Sequence, residues 1–317
     1  MSRIATVRAP NPSPMTLTGT NTYVIDAGGG EALVVDPGPV IERHLDAIET
    51  NARERGLRIT TIAVTHGHPD HAPAAAPLRA RTGATVWVHP HSDVTHDRTF
   101  ALDANWRVSE LSLRVIDAPG HTFEHVALYE PGERALLTGD VILGEGTVVI
   151  APPGGAMRPY QRTLARLRDE FPEATTIYGG HGPRIDDARA KILDYIEHRR
   201  IRESELLATL ARGPMTIPQI VIAIYGTARP QLWPAMARQM LAYLIALSEE
   251  GAVTAHTLDR PMTEQENTIL NPAWETIVGA EHAPLIAAEL GAMLKLDTLY
   301  EYTLAVSSRK DARLVDP

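Results

Sequence analysis

The sequence predicts an α/β protein built in layers, with a second, smaller unit toward its carboxyl end. Many short apolar runs of strand type lie in the first two hundred residues, and helix-period segments separate some of them. Longer helical patterns follow. Histidines stand at the ends of several predicted strands. Strands interspersed with helices are typical of sheets covered by helical layers.

A hairpin is predicted first. Residues 20–25 contain an apolar strand run, three glycines at 28–30 supply the turn, and residues 32–35 form the return strand. A polar, helix-period stretch marked by Leu45, Ile48 and Leu57 follows. The other strand candidates of this half are residues 61–64, 85–88, 113–116, 126–129, 135–137 and 176–178, and a helix is predicted at residues 159–170.

Composition limits the chemistry of the chain. A length of 317 residues corresponds to about two domains. There is no cysteine, which excludes disulfides, thiolate metal sites and cysteine nucleophiles, so any metal must be bound by His, Asp or Glu. A net charge of −9 provides no global positive field for nucleic acid. Without a membrane-spanning run or a signal-type start, we expect a cytoplasmic protein with no membrane partner.

The densest group of metal-ligand residue types follows the strand predicted at residues 61–64. His66, His68, Asp70 and His71 fall within six residues. Two histidines separated by one residue can face one point, and Asp70 with His71 can turn to a second point beside it. Gly67 permits the tight bend that this requires. Imidazole and carboxylate without sulfur suit zinc or a similar borderline metal.

Three further candidates end later strands in the same way. His121 follows Ala-Pro-Gly, Asp140 follows Thr-Gly, and His181 lies within Gly-Gly-His-Gly. Each stands among small residues, where the chain has room beside a buried ion. With the first cluster they make seven ligands, which is enough for two metal ions.

These motifs resemble those of the metallo-β-lactamase-fold hydrolases. The resemblance lies in T-H-G-H-P-D-H at 65–71, P-G-H-T at 119–122, G-D at 139–140 and G-G-H-G at 179–182, and it covers about residues 20–196. It implies an αββα sandwich with two zinc ions at one rim. By the same resemblance, the first zinc is bound by His66, His68 and His121, the second by Asp70, His71 and His181, and Asp140 bridges them. Iron or manganese would suit the same ligands.

Differences from the motifs of this family exclude or disfavour several of its subfamilies. The lactamase subclass with a cysteine ligand is excluded, because the chain has no cysteine. The β-lactamases themselves usually lack a bridging aspartate at the position of Asp140. Diiron flavoproteins carry Glu at the place of His68, which disfavours a redox enzyme. The chain is also too short for the inserted domain of the nucleic-acid-cleaving members.

The remainder of the chain predicts a small second domain. Helices are expected at residues 185–212, 217–225 and 235–250, followed by a strand at 252–256. This order resembles the winged-helix C-terminal domain of the β-lactamase-like protein 2 subfamily. The predicted domains are therefore a catalytic domain at 1–196, a winged helix at 197–257 and an extension of unknown structure at 258–317, with one helix candidate at 283–296.

The function expected first is hydrolysis of a small acyl compound, namely a thioester, ester or lactone. Metal-bound hydroxide would attack the acyl carbon, Asp70 would orient the nucleophile as the catalytic residue, and Asp36 is a candidate for fixing an imidazole. The alternative is a metal-dependent endoribonuclease acting on single-stranded RNA. A DNA-binding regulator is disfavoured, since the third predicted helix carries only Arg238 against two glutamates.

Three further expectations concern the second domain, a histidine-rich loop and the start of one helix. The winged helix is expected to cover the mouth of the active site or to form a homodimer contact. His89, His91 and His96 are interpreted as part of a solvated loop. Arg158 and Tyr160 are interpreted as an ordinary helix start rather than a substrate contact.

Overall fold

The protein is described by a computed structural model that covers residues 2–227, 230–271 and 298–305. The chain divides into two compact units. Met1–Val148 and Arg162–Tyr195 form the first, which we call the N-terminal unit; Val149–Gln161 and Ile196–Pro317 form the second, the C-terminal unit. The domain boundaries given above stay a prediction.

Six strands form the first sheet of the N-terminal unit, in chain order. They are β1 (Ile4–Arg8), β2 (Asn21–Gly28), β3 (Glu31–Val35), β4 (Arg58–Ala63), β5 (Thr85–Val88) and β6 (Arg98–Thr99). The first three pair antiparallel, and β3 to β6 pair in parallel. Parallel neighbours need a crossover connection. Helix α1 (Glu42–Glu54) connects β3 to β4, and α2 (Ala75–Thr82) connects β4 to β5.

The second sheet contains five strands in the order β11-β10-β9-β8-β7. They are β7 (Asn105–Val108), β8 (Leu111–Asp117), β9 (Val126–Glu130), β10 (Ala135–Gly139) and β11 (Thr176–Gly179). All pairs are antiparallel except β10 with β11. Helix α3 (Met157–Glu170) precedes β11, and α4 (Ala188–Leu210) follows it.

The core explains why these strands form layers. Leu33 on β3 belongs to one buried cluster together with Leu113 and Leu128 of the second sheet, so the two sheets pack face to face. Val34, which points to the opposite side of β3, packs in another buried cluster with Leu45 of α1, as strand alternation requires. Helices thus cover the outer face of the first sheet. The predicted α/β class is confirmed.

In the part that the structure describes, the C-terminal unit contains three short strands and several helices. In chain order these are β12 (Met215–Thr216), α5 (Ile217–Tyr225), a 3₁₀ turn (Pro230–Leu232), α6 (Trp233–Glu249), β13 (Val253–Thr257), α7 (Glu264–Leu270) and β14 (Tyr300–Leu304). Strand β14 lies between β12 and β13 and pairs antiparallel with both. The helix candidate at 283–296 lies outside the described residues. Among the helices that the structure describes, none has the length and apolar character needed to cross a bilayer.

Several elements differ from the sequence prediction. Strands β1, β6 and β7 are absent from the prediction, because β1 and β7 are short runs that mix apolar with polar residues, and β6 consists of two exposed polar residues. Leu57 was assigned to the first helix, but α1 ends at Glu54. Gly56 adopts a φ of +70°, which turns the chain out of the helix and lets Leu57 pack against the core.

Candidate metal centre

The predicted ligands lie in loops that follow four strands. The T-H-G-H-P-D-H segment begins after β4, and His121 lies in the loop after β8. Asp140 directly follows β10, and His181 follows β11 after one glycine. Because β10 and β11 are parallel, their carboxyl ends open at the same edge of the sheet. The seven predicted ligands are brought together there in two neighbouring groups joined by one carboxylate.

The first group consists of His66, His68 and His121, whose candidate ligand atoms all lie within 4.8 Å of one another. The His121 Nε2 and His68 Nδ1 atoms are 3.0 Å apart. His66 is buried, whereas His68 and His121 are partly exposed. This group therefore forms the solvent-facing side of the centre.

The second group consists of Asp70, His71 and His181, again with ligand atoms within 4.8 Å. The Nε2 atoms of His71 and His181 each lie 3.2 Å from Oδ2 of Asp70. All three side chains are buried. This group forms the inner side of the centre.

Asp140 faces members of both groups. Its Oδ1 atom is 3.4 Å from Nε2 of His71, and its Oδ2 atom is 3.3 Å from Nε2 of His181. The same Oδ2 atom is 3.8 Å from Nε2 of His121. One carboxylate thus reaches the solvent-facing and the inner side of the centre.

The hydrogen bonding of these side chains fits a metal site. Five of their ligand-type atoms are buried without a hydrogen-bond partner: His66 Nε2, Asp70 Oδ1, His71 Nε2, Asp140 Oδ1 and His181 Nε2. Buried polar atoms are normally satisfied, because leaving one without a partner costs about 1–3 kcal/mol. Imidazole and carboxylate donors without sulfur match the preference of divalent borderline cations. The residues present therefore fit divalent metal binding.

Electrostatics differ between the two groups. Burial lowers the pKa of His68 to about 3, and it also holds the pKa of His66 well below its usual value, so both are neutral donors. Burial opposes charge on His181 as well, but the Asp140 and Asp70 carboxylates outweigh it and raise its pKa to about 10. The inner group therefore attracts positive charge, as a cation site must.

Asp36 contacts one of the predicted ligands, His71. Its Oδ2 atom is 2.9 Å from Nδ1 of His71 and accepts a hydrogen bond from Oγ1 of Thr65, and its Oδ1 atom accepts from the Thr65 backbone N–H. A carboxylate at Nδ1 fixes the tautomer that leaves Nε2 free to bind a cation. Both Asp36 oxygens are engaged in this way, and the side chain also lies close enough to His66 and His71 to form a third candidate group with them.

His125 belongs to the site but was not identified from the sequence. Its buried ring stacks on that of His66 with centroids 4.7 Å apart, and its Nε2 atom accepts a hydrogen bond from the Asp140 backbone N–H. Gly139 leaves room for this packing, because a Cβ there would lie 2.9 Å from the His125 ring. The available signal was the H-T-F-E-H spacing, with the second histidine directly before β9.

The expectation of a solvated loop is wrong for His89. Its side chain is buried, its Nδ1 atom accepts a hydrogen bond from the His91 backbone N–H, and its Nε2 atom lies 3.5 Å from Oδ1 of Asp117. Satisfied polar partners allow this burial. His91 and His96 are exposed, as expected for a solvated loop.

Arg158 and Tyr160 have structural partners within the C-terminal unit. Arg158 forms ion pairs with Glu203 and Glu250. Tyr160 is buried, and the Arg199 guanidinium lies 5.1 Å from the centre of its ring. Their interpretation as part of a helix start agrees with α3 beginning at Met157.

Comparison with known proteins identifies the family. The Metallo-beta-lactamase superfamily profile matches residues 15–181, more than half of the chain. A beta-lactamase-like protein 2 homolog from Caenorhabditis elegans is 34% identical over 63% of this chain and 68% of its own length. An atrochrysone carboxyl ACP thioesterase from Paecilomyces divaricatus is 28% identical over 79% of this chain and 81% of its own length.

A solved structure gives the same result for the fold. A metallo-beta-lactamase family protein from Thermus thermophilus superposes with a TM-score of 0.68 at 24% identity, covering 80% of this chain and 96% of that protein. The resemblance inferred from the sequence motifs is thereby confirmed. This chain belongs to the metallo-beta-lactamase superfamily and is one of its hydrolases.

Proposed function

We propose that this chain is a dinuclear zinc hydrolase whose substrate is a small acyl compound, namely a thioester, an ester or a lactone. The observation that carries the proposal is the convergence of buried imidazole and carboxylate atoms that have no hydrogen-bond partner. His66 Nε2 belongs to the first group, Asp70 Oδ1, His71 Nε2 and His181 Nε2 belong to the second, and Asp140, whose Oδ1 is the fifth atom, faces both groups. Two separate three-residue sets joined by one carboxylate favour two ions over one.

The residues divide between the two ions. His66, His68 and His121 would hold the first, Asp70, His71 and His181 the second, and Asp140 would bind both. Zinc bound in such a site polarises a carbonyl oxygen and lowers the pKa of a bound water from 15.7 to about 7.

Residues of the protein would orient the metal ligands and the nucleophile, and would leave one side of the site open to the substrate. Asp36 holds His71 in one tautomer, and the His125 ring supports His66 from the side. Asp70 keeps its Oδ1 atom free of hydrogen bonds within the protein, so that oxygen is available to orient the attacking nucleophile. The substrate carbonyl would approach the partly exposed side, at His68 and His121.

An acyl substrate is favoured over a nucleic acid. A relative that aligns over most of this chain is named as an acyl carrier protein thioesterase, so the fold is compatible with acyl transfer to water. The net charge of −9 opposes binding of a polyanion such as RNA.

A substrate panel tests the proposal. Zinc-loaded protein would be assayed with acyl-CoA thioesters, p-nitrophenyl esters, lactones and a labelled single-stranded RNA, alongside Asp140→Asn and the matched control His96→Asn. We expect acyl hydrolysis by the wild type, a loss of about 100-fold or more in Asp140→Asn, since ligand and orienting groups act together, and wild-type rates in His96→Asn. RNA cleavage with the same dependence on Asp140, and no acyl hydrolysis, would favour the endoribonuclease instead.

We also propose that the C-terminal unit contains a winged helix. The order β12, α5, α6, β13 and β14 supports this, because two helices lie between the first and second strands of a three-stranded sheet. In this proposal β14 is the last strand of the wing, so the domain extends beyond residue 257.

A further inference from the structure

The segment between β1 and β2 reaches the inner ligand group. Oγ1 of Thr20 donates a hydrogen bond to Oδ2 of Asp70 over 2.9 Å. The Gly19 carbonyl oxygen lies 3.4 Å from Nδ1 of His181, and Thr20 and His181 also form an isolated β-bridge. Thr20 is completely buried. Neither Thr20 nor Gly19 is a metal ligand, but each contacts a side chain that we assign to the second ion.

Asn11 determines where the hydroxyl proton of Thr20 points. The Asn11 Oδ1 atom accepts a hydrogen bond from the Thr20 backbone N–H over 2.9 Å, which fixes the orientation of the amide. The Asn11 Nδ2 atom then donates to Oγ1 of Thr20 over 3.0 Å. A threonine hydroxyl has one proton. Because its oxygen already accepts from the amide, that proton is directed to Asp70.

Asn11 is itself held in place. It is buried, and its backbone carbonyl accepts a hydrogen bond from Oγ1 of Thr16 over 2.5 Å. Gly19 turns the chain at a φ of +124°, and a Cβ there would lie 2.0 Å from the Ala9 carbonyl oxygen. The segment is therefore built to present the Thr20 hydroxyl in one position.

The hydrogen bond from Thr20 makes the two oxygens of Asp70 different. Oδ2 accepts the hydrogen bond from Thr20, whereas Oδ1 is buried without a partner. The Gly19 carbonyl can only accept, so Nδ1 of His181 is the donor there and Nε2 is left free. The same short segment thus orients the side chains of both Asp70 and His181.

We infer that Thr20, held by Asn11, is a positioning residue that sets the affinity of the inner group for its metal ion. The inference rests on the proposed dinuclear function. Groups that orient metal ligands typically contribute 10–100-fold in metal affinity. The effect should be confined to the inner ion, because Thr20 acts through Asp70.

Zinc affinity of the full-length protein, after removal of bound metal, tests the inference. Zn²⁺ would be titrated against a competing chelator in the wild type, Thr20→Val and Thr20→Ser, with Co²⁺ absorption spectra as a second readout. We expect two ions in the wild type. Thr20→Val should weaken one of them by about 10–100-fold and alter one Co²⁺ spectrum. Thr20→Ser retains the hydroxyl and should restore wild-type binding.

A second variant tests the direction of the proton without removing the hydroxyl. Asn11→Asp adds a negative charge near the inner group, and Coulomb attraction alone would tighten cation binding. The positioning role of Asn11 and Thr20 predicts weaker zinc binding instead. An aspartate at position 11 cannot donate to the Thr20 hydroxyl and would compete with Asp70 for the hydroxyl proton.

The outcomes are distinguishable. Two ions with unchanged affinities in Thr20→Val, or tighter binding in Asn11→Asp, would overturn the positioning role while the dinuclear proposal stands. A wild type that binds only one ion would overturn the dinuclear proposal and this inference with it.

Discussion

Asp36 and His71 form a buried carboxylate–imidazole pair, with Oδ2 of Asp36 2.9 Å from Nδ1 of His71. Asp36 adopts a φ of +50°, a left-handed conformation that is uncommon for residues other than glycine. Its Oδ1 atom accepts from the backbone N–H of Thr65. The turn after β3 thus connects to the loop that carries the first predicted ligands, and Asp36 contacts both His71 and the backbone of that loop.

Asp36→Asn should lower the zinc affinity of the inner group. The amide must place its NH₂ either toward His71, where it reverses the tautomer that we assign, or toward the Thr65 N–H, where two donors meet. We expect about a 10–100-fold loss of zinc affinity and of activity. Chelator competition and kinetics would measure it, with the exposed Asp46→Asn as the matched control. Equal zinc affinity in Asp36→Asn and wild type would argue against the orienting role.

His121→Ala should abolish binding of the metal ion that we assign to the first group, while the second group keeps its ion. His121 contributes to the solvent-facing set, so its loss leaves two imidazoles and the shared Asp140 carboxylate there. Metal analysis after zinc supplementation should fall from two ions to about one, while His96→Ala retains two. If the wild type holds at most one ion under the same conditions, the bridging role of Asp140 is wrong.

Asp70→Asn should remove most activity without unfolding the protein. The substitution keeps the size of the side chain and its contact with Thr20, but it removes the negative charge of a ligand that we also assign to orienting the nucleophile. We expect turnover to fall by about 100-fold or more, with an unchanged circular dichroism spectrum. Near-normal turnover on the true substrate would exclude the catalytic role of Asp70.

The seven candidate ligands were visible in the sequence because the information is local. Four of them occupy six consecutive positions, and the others stand beside glycines within a few residues of strand-type runs. The supporting residues could not be found in the same way. Thr20 and Asp70 are fifty positions apart, and their hydrogen bond depends on how the N-terminal segment folds over the second ligand group.

For the fold as well, elements set by local sequence could be predicted, whereas an element that depends on distant pairing could not. Strand β5 was predicted at its observed bounds, since four strand-favouring residues stand together there. Strand β14 was missed, although Tyr300, Tyr302 and Leu304 alternate with polar residues. It is separated from its partner β13 by more than forty residues, and nothing in so short a run indicates where it pairs.

His44 should make stability depend on pH. Its side chain is buried with Nε2 2.9 Å from Oγ1 of Thr22, and burial lowers its pKa to about 4. An unfolded chain takes up this proton near pH 6.5, whereas the folded chain does so only near pH 4. The free energy of unfolding therefore falls as pH decreases through this window, by roughly 2–3 kcal/mol from His44 alone.

Urea unfolding of metal-free protein between pH 7 and pH 4 would measure this effect. His44→Gln removes the titrating group, so the variant should lose less stability over the window than the wild type. Using metal-free protein in both cases separates the effect from acid release of metal. Identical pH slopes in the two proteins would show that His44 does not titrate as its burial requires.

Duplex DNA should not bind to the C-terminal unit. Helix α6, the third helix of the predicted winged helix, contains a single basic residue, Arg238. That side chain is buried, and its Nη1 atom donates a hydrogen bond to the Leu270 carbonyl over 2.7 Å. Burial lowers its pKa to about 10, so it remains charged at neutral pH but lies away from solvent. Helix α6 therefore offers no exposed cation to a phosphate.

Fluorescence anisotropy with a 20-bp duplex would decide the matter. Each phosphate contact makes binding weaken by about 0.9 log units per decade of salt, so a true DNA-binding surface shows a steep salt dependence. We expect no measurable binding near 0.15 M salt and no steep slope below it. Submicromolar binding that falls sharply with salt would favour the regulator instead, and it would require basic residues outside α6 to contact the duplex. Since α6 is the helix that would enter the groove, its lack of exposed charge makes the absence of binding the expected result.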